Sequence, residues 1–409
     1  MARKYIIPLL IIILSSCQKP QENSDTILKY YGDVYEDIGY SVAKTDNGYV
    51  IAGQLTDVVR TSPNVLDPNS INNKKMGIIK TGLDGNQIWK KSFGDSPALG
   101  SKVLVLDDGS VVCTGFVTTS NLTKDIFVVK VDANGGTLMQ KIYPFAGNQS
   151  GTDIIKTPEG FLVLGSSDAA RLPVTDSTGN AAGKKDILLL RINDNLEQIG
   201  NDPTIKGFPG NDIGVAIKPD ISGGYIVVGT TDRSELKTEQ DKNNVILLRV
   251  NSIGDVTKTL IIGKKDDEYA ADIEVTADGY IIPVTVGADG TNQSGYILKI
   301  PSDLYSSPTF GNAVFNSSEI PSYSFKAISG YKSNSFVIAG QTGTGTLAKM
   351  LFFAIDADGN LLAGKKKIYG GTGAQVAYDV ITDTDDYIIA VGKNSYENNS
   401  LITLLKFRF

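Results

Sequence analysis

Three aspartates, Asp153, Asp272 and Asp379, stand at equivalent places upstream of a recurring apolar run, with Ser41 and Lys102 at the same place and Lys326 close to it. If the chain closes into a ring, these side chains converge on its axis. Three carboxylates there offer the hard oxygen ligands that suit Ca²⁺. They also offer the paired acids with which glycosidases work, and that chemistry needs no histidine. The plainer reading is polar residues facing channel water, with two lysines compensating the charge. Other acidic runs, DDE at 266–268 and DTDD at 383–386, fall in connections expected to be solvated. The chain has no histidine, which removes Ser-His-Asp and Cys-His nucleophiles and imidazole metal ligands. No cofactor is expected.

The elements that must position these residues repeat along the chain. An apolar run opened by a turn recurs as DNGYVIAG (46–53), DDGSVVCTG (107–115), PEGFLVLG (158–165), SGGYIVVG (222–229), ADGYIIPV (277–284), SNSFVIAG (333–340) and DDYIIAVG (385–392). Seven units of about 55 residues follow. In each, a strand with a polar start precedes the run. A third strand follows it, as in DIFVVKVD, DILLLRIN and NVILLRVN, then a Gly or Asn turn and a more polar fourth strand. Short runs rich in Val, Ile and Leu, with turns between and no long amphipathic pattern, predict four-stranded antiparallel sheets. Four strands per repeat at this period predict an all-β, seven-bladed β-propeller.

The seventh unit ends on its third strand at Phe409. Its fourth is expected from ILKYYGDVYED at 27–37, which reads like KKKIYGG and WKKSFGD. A ring closed in this way by its N-terminal strand has no open seam. The repeat resembles propeller lipoproteins and secreted proteins of Bacteroidetes-like Gram-negative bacteria, whose units carry DGGY and D-x-x-G-x-x-x-W turns; the nearest copies here are SGGYIVVG and LDGNQIWKK. It is distantly similar to quinoprotein-like repeats, but Trp89 is the single tryptophan, which argues against a quinone cofactor.

Residues 1–16 read as a signal peptide: Arg3 and Lys4, an apolar run from Tyr5 to Leu14 too short to span a bilayer, then Leu14-Ser15-Ser16-Cys17. That ending resembles the bacterial lipoprotein box, which implies acylation of Cys17, residues 17–25 as a lipidated tether and 26–409 as the propeller. Gln18 and Lys19 follow Cys17 where the resemblance would place an inner-membrane Asp, so the outer membrane is expected. Loss of Arg3 and Lys4 with the leader leaves 37 basic residues against 45 acidic, a charge of −8 that disfavours nucleic acid. Cys113, in VVCTG, is expected to be a buried, inert thiol.

Strand alternation puts the connections between second and third strands on one face, together with those between units. The long ones lie there, at 54–75, 166–185 and 230–243, with an irregular stretch at 304–323. Insertions confined to one face suggest a binding surface. Arg60, Arg171, Asp176, Arg233 and Glu235 are its polar candidates, and Tyr305, Phe310, Phe315 and Tyr323 its aromatic ones. The resulting expectation is a monomeric, membrane-anchored, non-catalytic module presenting this face to a protein or glycan partner. The alternative is a carbohydrate-active propeller using Asp153, Asp272 and Asp379.

Overall fold

A computed structural model describes residues 26–33, 35–57, 60–62, 65–66, 73–169, 185–207, 210–232, 243–264, 266–287, 293–332, 334–397 and 399–409. Seven antiparallel sheets are arranged as the blades of a propeller, each built from the axis outward. Blade 1 comprises Ile38–Thr45, Gly48–Thr56, Lys74–Gly82 and Gln87–Phe93. Blade 2 comprises Ala98–Val105, Val111–Thr118, Lys124–Val131 and Thr137–Tyr143, and blade 3 Gln149–Thr157, Gly160–Ser167, Asp186–Asn193 and the short Thr204–Lys206. Blade 4 comprises Asp212–Pro219, Tyr225–Thr231, Asn244–Val250 and Val256–Ile262. In blade 5 the innermost strand is split into Glu268–Ala270 and Glu274–Val275, followed by Gly279–Val286, Ser294–Pro301 and Thr309–Ala313. Blade 6 is Tyr323–Tyr331, Ser335–Thr342, Lys349–Asp356 and Leu361–Tyr369. Among the described residues no helix is long and apolar enough to cross a membrane.

Blade 7 takes three strands from the C-terminal end, Ala374–Thr382, Ile388–Tyr396 and Asn399–Phe407, and its outermost strand, Ile27–Tyr31, from the other end of the propeller. Ile27 pairs with Lys406 and Tyr31 with Ile402, so the ring closes through a backbone ladder as the repeat count predicts. The Tyr31 hydroxyl donates to the Gly85 carbonyl of blade 1 at 2.6 Å, which ties the closing strand to the next blade.

The second and third strands of each blade are almost wholly buried, and the core lies between successive sheets rather than within any one. This explains why the apolar runs are continuous instead of alternating: both faces of a central blade strand meet a neighbouring blade. Cys113 packs in this core and burial pushes its thiol far above the usual range.

Deleting residues 26–31 exposes the edge of Asn399–Phe407. Loss of its ladder bonds is expected to cost about 3–5 kcal/mol and to favour edge-to-edge association. Denaturant unfolding and light scattering read both effects; a deletion variant of unchanged stability and monodispersity contradicts closure by this strand.

Candidate functional site

The innermost strands share one irregularity. Their register against the second strand slips between Gly39 and Ser41, Gly100 and Lys102, Gly151 and Asp153, Gly214 and Ala216, Phe325 and Ala327, and Ala377 and Asp379. One extra residue is inserted at each slip, a β-bulge that re-aims the side chains around it. The residue opposite is a glycine in those six blades. A Cβ at Gly115 would lie 1.8 Å from the Leu99 carbonyl oxygen, and one at Gly340 2.1 Å from that of Ser324. The glycine ending each apolar run is thus required by the bulge facing it.

The residue after the bulge joins blades. Asp379 accepts the Val42 N–H of blade 1 at 3.0 Å through one oxygen, while the other accepts the Val380 N–H of its own strand at 2.9 Å. Asp153 bonds Ile217 of blade 4 and its own neighbour Ile154 in the same way, and Asp272 bonds Ile328 of blade 6 and Ile273. Ser41 plays the shorter version, its Oγ accepting from Val103 of blade 2 at 3.3 Å. The three aspartates are therefore brought around one axis, but as clasps between blades. Lys102 holds a clasp position too, its Nζ 3.2 Å from Asp379. Burial opposes its charge, yet Asp379, Asp153 and Asp272 outweigh that and raise its pKa above the ordinary lysine value. Burial raises the pKa of Asp272 in spite of Lys218 and Lys102, and raises that of Glu274, which pairs with Lys218 at 3.4 Å. With the Lys102 ammonium among these carboxylates, no group of three His, Cys, Asp or Glu among the described residues is arranged to hold a metal ion.

The bulged residues themselves, Tyr40, Ser101, Thr152, Val215, Lys326 and Tyr378, are half-exposed between buried neighbours, as is Ala271 in blade 5. They form the mouth of the axial channel. Tyr40 and Tyr378 close one side of it, their rings 5.1 Å apart. Lys326 belongs to this mouth rather than to the clasp ring where its spacing suggested.

On the side of blades 4 to 6 the mouth opens into a cavity of about 350 Å³. Its origin is the departure of blade 5 from the repeat: Val284 stands where the other second strands carry glycine, and the strand opposite is split at Ala270. Tyr269, Gln293, Ser324 and Lys326 supply polar groups to its wall, with Val215 and Phe325 as apolar ones. The Tyr269 hydroxyl accepts from Asn243 Nδ2 at 2.9 Å. Ser324 is 2% exposed, and its Oγ has no hydrogen-bond partner among the described residues. Among them, Lys326 has no carboxylate within ion-pair distance and no carboxylate lines the cavity. Neither Ser324 nor Lys326 was legible as a cavity residue, because nothing in the sequence marks the bulge that turns one of them outward.

The other expected residues scatter. Arg60 lies on a short strand, Arg60–Ser62, paired with Val65–Leu66 in the first insertion. Arg171, Asp176, Arg233, Glu235 and Cys17 lie outside the described residues. Tyr305 is 85% exposed, but in the turn between third and fourth strands of blade 5, on the face opposite the insertions, with Lys258 over its ring. Phe310 packs on Tyr296 in the outer strand of that blade. Tyr323 is a core residue whose hydroxyl donates to the Gly295 and Phe315 carbonyls, and Phe315 is buried against Tyr323 and Phe353. The aromatic group is therefore no surface cluster; the stretch at 304–323 contains a blade strand, and the rings of Phe315 and Tyr323 pack inward while Tyr305 stands apart on the surface. The acidic runs are not uniformly solvated either. Glu268 is buried and accepts from the Tyr296 hydroxyl at 2.8 Å, and Asp383 accepts from the Tyr49 hydroxyl and pairs with Lys44.

A second ring of bonds escaped the sequence reading. Lys80, Lys130 and Lys406, on third strands, donate to the Ala133, Asp194 and Leu83 carbonyls in the outer turns of the following blades. Arg249 reaches Ser302, and Lys299 reaches the Asp358 carboxylate at 2.9 Å. Trp89 joins this set through its indole N–H, which donates to the Ala133 carbonyl.

A seven-bladed propeller with a polar cavity at its channel mouth is the class that fold and site define. No protein-family model matches the chain, and no curated protein matches it in sequence. Solved structures match it in fold. An ulvan lyase, a polysaccharide lyase, superposes with a TM-score of 0.57 at 10% identity, over 91% of this chain and 95% of that one. A second structure of such a lyase, bound to -[GlcA(1-4)Rha3S]-, gives 0.55 at 10% identity over the same shares. The periplasmic gluconolactonase of Pseudomonas aeruginosa gives 0.52 at 10% identity, over 85% and 88%. These neighbours correct the expectation that the chain is no enzyme. The same ring of blades carries lyase and lactonase activity, so the missing catalytic constellation on which that expectation rested excludes nothing.

Replacing Asp379 by Ala leaves two buried N–H groups and the Lys102 ammonium without their acceptor. The expected loss is about 3–5 kcal/mol, with a smaller loss for Asp153→Ala, which frees no lysine. Urea unfolding of both variants measures this; losses within about 0.5 kcal/mol of zero, the usual range for surface changes, contradict the clasp.

Proposed function

We propose that the chain is a carbohydrate-active propeller enzyme whose substrate pocket is the cavity at the channel mouth between blades 4 and 6. The observation that carries this is the conjunction, at one cavity, of a buried hydroxyl at Ser324 and an ammonium at Lys326, neither with a partner among the described residues, and the phenol of Tyr269. A half-enclosed cavity lined by apolar groups with a few converging polar ones is where substrate binding is expected. The lyase and lactonase neighbours, both acting on sugars, support the same class. The axial carboxylates are not the reacting groups in this reading, since backbone N–H groups of two blades occupy their oxygens. The described residues of the cavity wall include no carboxylate pair of the kind that two-acid glycoside hydrolysis uses. Tyr269, its oxygen stabilised by the Asn243 amide, is assigned the proton transfer.

The test is a panel of uronate-containing polysaccharides and sugar lactones. Turnover is expected, and Tyr269→Phe should lower kcat by about 10²–10⁴-fold with KM little changed. A panel without turnover, or a Tyr269→Phe variant of full activity, overturns the reading.

We further propose that the protein is a lipoprotein of the outer membrane, held by acyl chains on Cys17. Support comes from Leu14-Ser15-Ser16-Cys17 in register behind a short apolar run. Cys17→Ala should move the protein from the membrane to the soluble fraction and abolish palmitate labelling; retained labelling refutes the assignment.

A further inference from the structure

We infer that the mouth cavity selects an anionic sugar unit, one bearing a carboxylate, and that Lys326 is the residue that reads it. The inference rests on the assignment of this cavity as the sugar pocket. Among the bulged residues that ring the mouth, Lys326 is the charged one. Bulge geometry turns it toward the opening, whereas the next residue, Ala327, is buried in the clasp row.

The charges beneath the cavity are already matched at short range. Asp379 has Lys102, Glu274 has Lys218, and each oxygen of Asp153 and Asp272 accepts a backbone N–H. None of these acids reaches Lys326 within ion-pair distance. A half-buried ammonium with no counter-ion among the described residues favours a ligand that brings one, and a hydrogen bond between charged partners is about twice as strong as a neutral one. Ser324 adds a second demand. Ser324, two residues before Lys326 on the same strand, belongs to the cavity wall, and its buried hydroxyl lacks a partner among the described residues, at a cost of about 1–3 kcal/mol while unsatisfied.

A cation finds no acidic ligand among the described residues of this wall. A volume of about 350 Å³ is at the small end of small-molecule pockets. It suits one or two sugar rings rather than a macromolecular surface. Thr285 and Tyr269 accept from the Phe325 N–H and the Asn243 amide, which fixes their oxygens in the pocket wall.

The test is calorimetric titration of the purified full chain with D-glucuronate and with D-glucose. Glucuronate should bind, glucose roughly ten- to hundred-fold more weakly, and added salt should weaken the glucuronate alone. Lys326→Met, which keeps the apolar stem, should remove that preference without lowering the Tm, and Lys326→Arg should restore most of it. Ser324→Ala should weaken glucuronate by about five-fold. Equal affinity for the two sugars, no saturable binding of glucuronate, or an affinity unchanged in Lys326→Met overturns the inference. The two readings fail separately. Lys326-dependent glucuronate binding with no turnover on the polysaccharide panel keeps this inference and removes the enzyme; Tyr269-dependent turnover of neutral substrates without glucuronate binding does the reverse.

Discussion

The bulge in the innermost strand is the constraint on which the rest of this ring depends. Seven sheets converging on an axis bring their first strands too close for a regular ladder with full side chains. One extra residue per strand relieves this by bending the strand and rotating the side chains on either side of it. The rotation has two products. The residue after the bulge swings toward the next blade, where Asp153, Asp272, Asp379 and Ser41 take up its backbone N–H groups. The bulged residue swings into the channel mouth. The glycine that closes nearly every apolar run is the cost of this arrangement on the facing strand, since the displaced carbonyl occupies the space of a Cβ.

Clasping at the axis is matched by tethering farther out. Lysines and arginines of the third strands reach the outer turns of the following blades, while tyrosines of the repeated turn reach back to the turn between first and second strands of the preceding blade: Tyr49 bonds Asp383 and Tyr280 bonds Asp220, the latter also held by Arg249 at 2.7 Å. Adjacent blades are thus joined at two radii as well as by apolar packing. Closure by Ile27–Tyr31 makes the set circular, so that no blade interface can open without straining the others. A rim so constrained holds its mouth residues in fixed positions, which is what a pre-organised pocket requires.

The architecture was legible because it rests on period and apolar content. Seven runs, four strands per unit and a missing last strand lead to the ring and its closure with no knowledge of side-chain direction. The site was not legible, because it depends on direction. Spacing places Lys102 and Lys326 in one row, but a bulge of one residue separates a lysine paired with Asp379 from one at the mouth without a carboxylate partner among the described residues. Spacing likewise brings three aspartates to the axis without revealing that backbone N–H groups occupy them. The aromatic residues between 304 and 323 misled for a related reason: an irregular outer strand looks like a loop, and rings that pack inward at Phe315 and Tyr323 look like surface anchors. Cations of the third strands are visible at one place in six repeats, with Ala354 in blade 6, yet the partners of five of them lie on the next blade.

Blade 5 is where the local rules fail together, and failures of a repeat that coincide in space point to function more than to drift. Val284 replaces the glycine, the inner strand breaks into two short pieces, and the space released is bounded by the one charged mouth residue and by a buried hydroxyl without a partner. The departures cost stability together: in blade 5 a bulkier residue opposite the axis and lost ladder bonds, and on the facing strand of blade 6 a buried hydroxyl and an ammonium without partners among the described residues. The other six blades keep the register slip and its facing glycine. A ligand carrying a negative charge and hydrogen-bonding groups offsets several of these costs at once, so the features that weaken the junction of blades 5 and 6 in isolation become the source of affinity when the cavity is occupied.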